Sequence, residues 1–388
     1  MTKLRPELYV GREQTYAKHY VVKHYLEKLA YKVGASGATM NFIDGFAGPW
    51  QNKDETFNDT SPHIAVRVLR DARAGLRKRY GAELRVRAMF IERDNEKFDA
   101  LASSFANVSD IEVLVRPGEF EANIAEAVTF GESGKRPFCF ALIDPCGWKG
   151  FGLNAITPLL RIERCEVLIN FMTNFVNEFI DDPRPQTAAT FEDLFGSTDF
   201  RDRWAGLQGP ARQAAIVATY CARVRERGGF AHVASAEVFN PLNDRVHYHL
   251  VYATRHDEGL RTFRAIERAA LQEQEAMRAG AQGRRRQASA PGQVELFGAE
   301  ALATPYIASL RSHYHGLARQ EVMQFLASRR SVPFDELAVV GMQHPMTAEQ
   351  DVRDFLKADA ARHTLAFDGL TGKERTPQWR RGHGVRMV

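Results

Sequence analysis

A very short connection between two apolar segments late in the chain most constrains the fold. Residues 230–240 and 245–256 both have the composition of strands, and only the four residues PLND separate them. Parallel pairing requires a crossover connection of a dozen or more residues, so these segments are predicted to pair as an antiparallel hairpin. The chain before the hairpin has a different connectivity.

Five apolar strand-like segments precede the hairpin, with helical segments between them. The strand candidates are residues 38–46, 85–94, 111–120, 137–147 and 165–175. The helical candidates are residues 62–79, 95–106, 120–130 and 153–163, and an amphipathic helix is predicted over 12–33, before the first strand. This alternation predicts a doubly wound, Rossmann-like α/β fold. Its sheet is mostly parallel and seven-stranded, and it ends in the antiparallel hairpin.

A change in composition divides the chain into two predicted domains. Residues 279–293 are rich in Gly, Ala, Arg, Ser and Pro, which predicts a flexible linker over 279–295, between a domain of 1–278 and one of 296–388. The second domain is predicted to contain helices at 304–328, 333–340 and 347–362, a strand at 364–369 and a basic tail. This order predicts a small winged-helix-like α/β domain with 347–362 as its recognition helix, and a plain helical cap is the alternative.

Composition excludes several classes of protein. The chain of 388 residues has no apolar run long enough to span a membrane, and its N-terminus has no apolar signal core. The four cysteines form no CxxC or Cys/His cluster, so neither a zinc site nor a disulfide framework is predicted. His247 and His249 alternate along one strand without a third ligand, and no metal is expected. We predict a cytoplasmic protein without a membrane partner.

Positive charge is concentrated in two late segments, residues 283–287 and 373–387. Such clusters suit contacts with phosphates, so nucleic acid is a predicted partner; a solvated linker and a solvated tail are the alternatives. The candidate nucleic-acid-binding residues are Arg284, Arg285, Arg286, Lys373, Arg375, Arg380 and Arg381.

The stretch IDGFAGPW, at the end of the first predicted strand, has the features of a cofactor loop. Ligands of open parallel sheets bind beyond the carboxyl ends of the strands, and small residues after Asp44 allow the backbone to approach a ligand. Glu92 or Asp94, at the end of the second strand, could accept hydrogen bonds from ribose hydroxyls. Each feature alone also fits an ordinary turn. The candidate cofactor-binding residues are Asp44, Gly45, Phe46, Ala47, Gly48, Glu92, Glu119 and Phe120.

The fourth predicted strand ends in ALIDPCGWKG, which is similar to the [DNS]-P-P-[YFW] motif of amino-methyltransferases. The lone pair of an exocyclic amine is delocalised into its ring, so the amine needs hydrogen-bond acceptors that orient it. Asp144 and the carbonyl of Pro145 are the candidate acceptors, and Trp148 is the candidate for stacking on a base. Trp148 comes one position late in the motif, and a strand-ending turn with a buried tryptophan is the alternative.

These stretches as a set resemble a known family. FIDGFAGPW, FIERD, ALIDPCGWKGFGLNAI, EVLINFMTNFVNEFI and YHLVYATRHDEGL occur in the order typical of the three-Cys-motif partner protein family, over residues 15–275. The resemblance implies a class I methyltransferase-like fold with S-adenosylmethionine as cofactor and an appended winged-helix domain. It also implies a bacterial genomic pairing with an iron–sulfur protein that carries three cysteines. Trp50 stands where the third glycine of a methyltransferase loop is usual.

Two functions follow as hypotheses. The first is an S-adenosylmethionine-dependent methyltransferase that acts on an exocyclic amine of a nucleic-acid base, with adenine N6 as the leading target. The second is a catalytically degenerate protein that binds nucleic acid or the iron–sulfur partner. The altered motif after Asp144 and the bulk of Trp50 favour the second hypothesis.

Overall fold

The main sheet has seven strands, and the first five pair with one another in parallel. The computed structural model describes residues 4–48, 52–54, 57–289 and 305–388. Within them the strands are β1 (Thr39–Asp44), β2 (Arg85–Glu92), β3 (Glu112–Pro117), β4 (Phe138–Ile143), β5 (Cys165–Phe171), β6 (His232–Phe239) and β7 (Val246–Thr254). Their order is β3-β2-β1-β4-β5-β7-β6, and β7 is antiparallel to both of its neighbours. The predicted mostly parallel sheet with its terminal hairpin is confirmed, and the order is that of a methyltransferase-like Rossmann fold.

Helices cover both faces of this sheet. They are α1 (Glu13–Ala35), α2 (Ser61–Tyr80), α3 (Asn95–Phe105), α4 (Ile124–Gly131), α5 (Leu153–Leu160), α6 (Thr173–Phe179), α7 (Pro185–Phe195), α8 (Gly209–Gly228) and α9 (Asp257–Ser289). Every residue of β1, β4 and β5 is buried, because each of these central strands is covered by helices on both faces. The helices α6, α7 and α8 were not among the sequence predictions.

The start of α2 differs from expectation in one detail. Its N-cap is Thr60, so the helix begins at Ser61, one residue before the predicted start at 62, and Pro62 follows in the first turn. The Ser61 hydroxyl donates a hydrogen bond to the carboxylate of Asp44. The first residue of α2 therefore helps to hold the carboxylate at the end of β1 in place.

The segment predicted as a flexible linker is helical over most of its length. The helix α9 continues to Ser289, and the predicted linker residues 290–295 lie outside the described part of the chain. Ala279 and Ala281 are buried, and Arg284 forms an ion pair with Glu13 at the start of α1. Ala, Gln and Arg have high helix propensity, and this packing outweighs the two glycines of the segment.

The C-terminal part forms a second, smaller sheet with three helices. Its elements are α10 (Pro305–Ala327), β8 (Val332–Pro333), α11 (Phe334–Met342), α12 (Glu349–Ala361), β9 (Leu365–Asp368) and β10 (Gly384–Met387). The strands lie in the order β8-β10-β9, and both pairs are antiparallel. The three predicted helices and the strand at 364–369 agree with this structure, whereas β10, within the basic tail, was not predicted.

A fully buried arginine joins this C-terminal part to the main sheet. Arg264 of α9 donates hydrogen bonds to the carbonyls of Met342, at the end of α11, and Ser235 of β6, each at 2.8 Å. It also forms an ion pair with Glu267 at 2.7 Å.

None of the described helices is long and apolar enough to cross a membrane.

Candidate functional site

The loop after β1 is held between the carboxyl ends of its neighbouring strands. The backbone N–H of Gly45 donates to the carbonyl of Leu142 in β4 at 3.0 Å, and that of Ala47 donates to Ile91 in β2 at 2.9 Å. A Cβ atom at Gly45 would lie 2.6 Å from the ring of Phe120. A glycine is therefore required here, because any side chain would collide with the segment that follows β3.

Asp44 supports this loop from beneath. Its buried carboxylate accepts hydrogen bonds from Ser61 Oγ at 2.7 Å and from the backbone N–H of Phe46 at 3.1 Å. Burial raises the pKa of Asp44 to about 7 in spite of these bonds. Asp44 and Ala47 line none of the cavities described below, so their part in any cofactor site is to shape the loop.

The first cavity, of about 290 Å³, lies beyond the ends of β1, β2, β3 and β4. Glu92 lines it with a side chain that is only 3% exposed, and its Oε1 accepts a hydrogen bond from the N–H of Asp94 at 2.7 Å. Asp94 is the N-cap of α3 and accepts from the N–H of Lys97. Of the two acids proposed for the ribose contact, Glu92 therefore lies in the cavity and Asp94 caps a helix.

The other predicted cofactor residues complete the walls of the first cavity. Phe120 is buried, and its ring centroid lies 5.5 Å from that of Phe46. Glu119 is mostly exposed, and its carboxylate lies 3.5 Å from the guanidinium of Arg93. The cavity thus combines an apolar wall with the carboxylates of Glu92 and Glu119.

A second cavity, of about 320 Å³, adjoins the first and shares Phe46, Pro145 and Cys146 with it. Asp144 lines this cavity and is already bound by two side chains. Asn170 Nδ2, at the end of β5, donates to Asp144 Oδ1 at 2.7 Å, and Lys18 of α1 forms an ion pair with Oδ2. Gly48 also lines the second cavity.

Several buried polar atoms around the second cavity have no hydrogen-bond partner. They include Asn170 Oδ1 and one atom from each member of the buried ion pair between Arg12 and Asp59, namely Arg12 Nε and Asp59 Oδ1. An unsatisfied buried polar atom costs about 1–3 kcal/mol, so such atoms normally have a partner. The three residues that carry these atoms all line the second cavity.

Trp148 and Asp144 do not line the same cavity. Trp148 lines the first cavity, not the second, and its ring packs on Phe179 at a centroid distance of 4.8 Å. Phe191 lies at 6.0 Å in a nearly parallel arrangement. These contacts place Trp148 in the aromatic packing between the cavity and the helices α6 and α7.

The two histidines of β7 contact the helix that follows β5. His247 lines the second cavity, 3.3 Å from Asn174 Nδ2, and His249 is buried, 2.6 Å from Thr173 Oγ1. Burial lowers the pKa of His249 to about 3. In the described ranges, no three His, Cys, Asp or Glu residues lie close enough together to hold a metal ion.

The candidate nucleic-acid-binding residues lie at two edges of the main sheet. Arg284 contacts Glu13, near the second cavity, and Arg285 and Arg286 follow it on the exposed end of α9. Arg380 lies in the loop between β9 and β10, with its guanidinium 3.8 Å from Glu258 at the start of α9. Since α9 has 33 residues, its two ends lie about 50 Å apart. The exposed residues Lys373, Arg375 and Arg381 belong to the same loop as Arg380.

Sequence reasoning missed Lys18, Arg12 and Asp59. Lys18 and Asp144 are 126 residues apart in the chain, and no local pattern connects them. Arg12 immediately precedes α1, and Asp59 belongs to the segment between β1 and α2. The only sequence signal for these residues was the amphipathic helix predicted ahead of the first strand. Such a helix must cover some part of the sheet, but its sequence does not show which part. Trp50 lies outside the described residues, so the expected effect of its bulk stays a prediction.

Comparisons with known proteins add little to this site. Among solved structures, the chain is similar to one described as "Loganic acid methyltransferase with SAH", with a TM-score of 0.30 and 9% sequence identity. The similarity covers 81% of this chain and 92% of that chain. A TM-score of 0.30 is too low to assign a fold, an activity or a substrate. No family model and no curated protein matches the chain. The resemblance to the three-Cys-motif partner family stays a prediction.

Proposed function

We propose that this protein is an S-adenosylmethionine-dependent methyltransferase. The observation that carries the proposal is the position of the buried Glu92 carboxylate. It lies next to the Gly45 loop, in a cavity at the carboxyl edge of a sheet with the strand order 3-2-1-4-5-7-6. Ligands of open α/β sheets bind at this edge, and an acid at the end of the second strand is suited to ribose hydroxyls.

The lining of the first cavity suits an adenosyl group. Glu92 would accept hydrogen bonds from the ribose, and the rings of Phe46 and Phe120 would contact the adenine. Glu119 would accept from the adenine amino group. The bound cofactor would supply an electrophilic methyl group, and the residues shared by the two cavities lie where its methionine end would meet the acceptor.

The second cavity suits an acceptor with N–H groups. Both carboxylate oxygens of Asp144 are bonded already, whereas Asn170 Oδ1 has no partner. We infer that Asn170 Oδ1 and the Pro145 carbonyl would orient an exocyclic amine, and that Asp144 would position Asn170. The proposed substrate is a nucleic-acid base, in the first place adenine N6, which would have to leave its duplex to enter the cavity.

The order of elements in the C-terminal part supports the nucleic-acid proposal, whereas the charge of its predicted recognition helix does not. Its order of helix, strand, two helices and two further strands is that of a winged helix. The helix α12, which we expected to read the duplex, contains four acids (Glu349, Asp351, Asp354, Asp359) and two bases (Arg353, Lys357), a net charge of −2. Phosphate contacts are therefore proposed for the arginines at the end of α9 and for the loop between β9 and β10.

A second candidate function is binding without catalysis. The ion pair of Lys18 with Asp144 favours it, because the acid of the motif is already engaged. On this hypothesis the chain binds nucleic acid or an iron–sulfur protein that carries three cysteines.

The test is calorimetric titration with S-adenosylmethionine and S-adenosylhomocysteine. We expect micromolar binding that weakens roughly tenfold or more in Glu92→Ala, which corresponds to about 1.4 kcal/mol. The matched control is Glu96→Ala, which removes an exposed acid from the first turn of α3. Absence of binding to the wild-type protein, or equal losses in both variants, would contradict the proposed function.

A further inference from the structure

A third cavity, of about 290 Å³, lies at the edge of the main sheet opposite to the proposed active site. Phe138 and Glu166, at the beginnings of β4 and β5, contribute to its walls. The second half of α1, the first turns of α9 and Arg380 of the C-terminal loop complete it. Since β4 has six residues, about 20 Å of sheet separates this cavity from Asp144.

Apolar side chains form much of its wall. Leu29 and Val33 of α1 and Phe138 of β4 all line it. Tyr25 also contributes, and its hydroxyl is engaged with Glu166 at 2.6 Å. Such a wall suits the aliphatic or aromatic body of a ligand.

Four cations surround this apolar wall, and three of them have no acidic partner at ion-pair distance among the described residues. Lys28 and Lys32, one helical turn apart on α1, form no ion pair with the part of the chain that the structure describes. The guanidinium of Arg164 donates to the carbonyl of Arg136 at 2.8 Å, lies over the ring of Phe138 and has no acidic partner among the described residues. Arg380 is the fourth cation, and its guanidinium lies 3.8 Å from Glu258.

Two acids, Glu166 and Glu258, face the four cations at this cavity. Glu166 is buried, and its oxygens accept hydrogen bonds from Tyr25 and Thr254; burial raises its pKa. Glu258 accepts hydrogen bonds from Arg261 Nη1 at 2.8 Å and from Trp379 Nε1 at 3.1 Å, and it pairs with Arg380 at 3.8 Å. Positive charge therefore remains in excess at the rim.

We propose that this third cavity binds a small phosphate monoester with an apolar or aromatic body, of the class of nucleoside monophosphates. Three cations without acidic partners match the charge of a dianionic phosphate better than that of a single carboxylate. The apolar wall would hold the body, and a volume of about 290 Å³ is near the lower end for small-molecule sites. Isolated lysines on a helix are ordinarily just solvated. Here Arg164 and Arg380 come from two other segments and line the same apolar cavity.

The test is calorimetric titration of the full chain with guanosine 5′-monophosphate. A guanine nucleotide is chosen because an adenine nucleotide would also be a ligand for the proposed adenosyl site. We expect binding that weakens roughly tenfold in Lys28→Ala/Lys32→Ala, the loss of about 1.4 kcal/mol. Guanosine, which lacks the phosphate, and inorganic phosphate, which lacks the body, should each bind at least about tenfold more weakly. The Glu92→Ala variant should bind guanosine 5′-monophosphate as the wild type does, which separates this site from the proposed function.

The matched control is Arg203→Ala/Lys357→Ala, which also removes two exposed positive charges, both outside the cavity. Thermal unfolding of each variant checks that the fold is intact. The proposal is overturned if the wild type does not bind at millimolar concentration, if both double variants lose affinity equally, or if inorganic phosphate alone binds as well as the nucleotide.

Discussion

The contacts of Asp144 support the proposal that this residue positions Asn170. A carboxylate only accepts hydrogen bonds, so Asn170 must direct its Nδ2 toward Asp144, and its Oδ1 is left without a partner. Lys18 engages the second oxygen of Asp144. The acid therefore fixes the amide orientation and leaves Asn170 Oδ1 as an acceptor without a partner.

The Asn170→Ala variant is expected to transfer methyl groups about 100-fold more slowly than the wild type, because an orienting contact to the acceptor is lost. Its affinity for S-adenosylhomocysteine should stay within about threefold, a difference of less than 1 kcal/mol. Transfer from radiolabelled S-adenosylmethionine to DNA and to RNA measures the first effect, and calorimetry measures the second.

The matched control for this prediction is Asn177→Ala. Asn177 Oδ1 is also buried and unpartnered, but the residue lines neither of the two cavities. Wild-type transfer by Asn170→Ala would remove Asn170 from the proposed site.

Among the secondary-structure elements, the contact between β6 and α10 depends on a buried acid. Tyr314 of α10 donates a hydrogen bond to Glu237 Oε1 at 2.5 Å, while Glu237 Oε2 is buried without a partner. Burial, together with the nearby Glu267, raises the pKa of Glu237 to about 7. The folded protein therefore favours the protonated form of the Glu237 carboxyl group.

This shift predicts a pH dependence of stability. The folded-state pKa lies above the unfolded value of about 4.5, so the stabilisation is fully present below pH 4.5 and is lost as the pH rises through 7. The loss is on the order of 3 kcal/mol at most. Glu237→Gln should reduce the decline in the free energy of unfolding between pH 5 and pH 8, measured by urea denaturation. Part of the decline should persist, since Asp44 has a raised pKa in the same range.

Glu163→Gln, at an exposed position, is the control and should follow the wild-type profile. A Glu237→Gln profile that coincides with the wild-type one would show that Glu237 ionises normally.

For the proposed binding of nucleic acid by the whole molecule, the positions of the cations are more informative than the net charge of +4. One group, at the end of α9, lies at the edge that holds the second cavity, and the other is carried by the loop between β9 and β10. A nucleic acid whose base enters the second cavity would reach the first group directly. Contact with the second group requires a path around the molecule.

We therefore expect Arg285→Ala/Arg286→Ala to weaken nucleic-acid binding more than Lys373→Ala/Arg375→Ala does. The slope of log affinity against log salt should fall by about one to two in the first variant, because each phosphate contact contributes about 0.9. Fluorescence anisotropy at several salt concentrations measures both quantities. Unchanged slopes in both variants would exclude these residues from the nucleic-acid interface.

The sequence by itself determined the main sheet. The alternation of apolar strands and helices, and the four-residue connection before β7, are local signals, and they were sufficient for the parallel strands and the hairpin. The positions of Gly45 and Glu92 could also be predicted, because residues at the carboxyl ends of parallel strands meet at one edge. The strand β10 was missed since its four residues lie in a basic, turn-rich tail without clear alternation.

Only the tertiary structure decided how the second and third cavities are built. Lys18 contacts Asp144, which lies 126 residues later in the chain. Arg380 contacts Glu258 at the start of α9, 122 residues earlier (380 − 258). The continuation of α9 to Ser289 likewise depends on packing along α1, which local composition does not record. Local patterns report the preferences of neighbouring residues, whereas a cavity exists only where distant segments are brought together by the burial of their apolar faces.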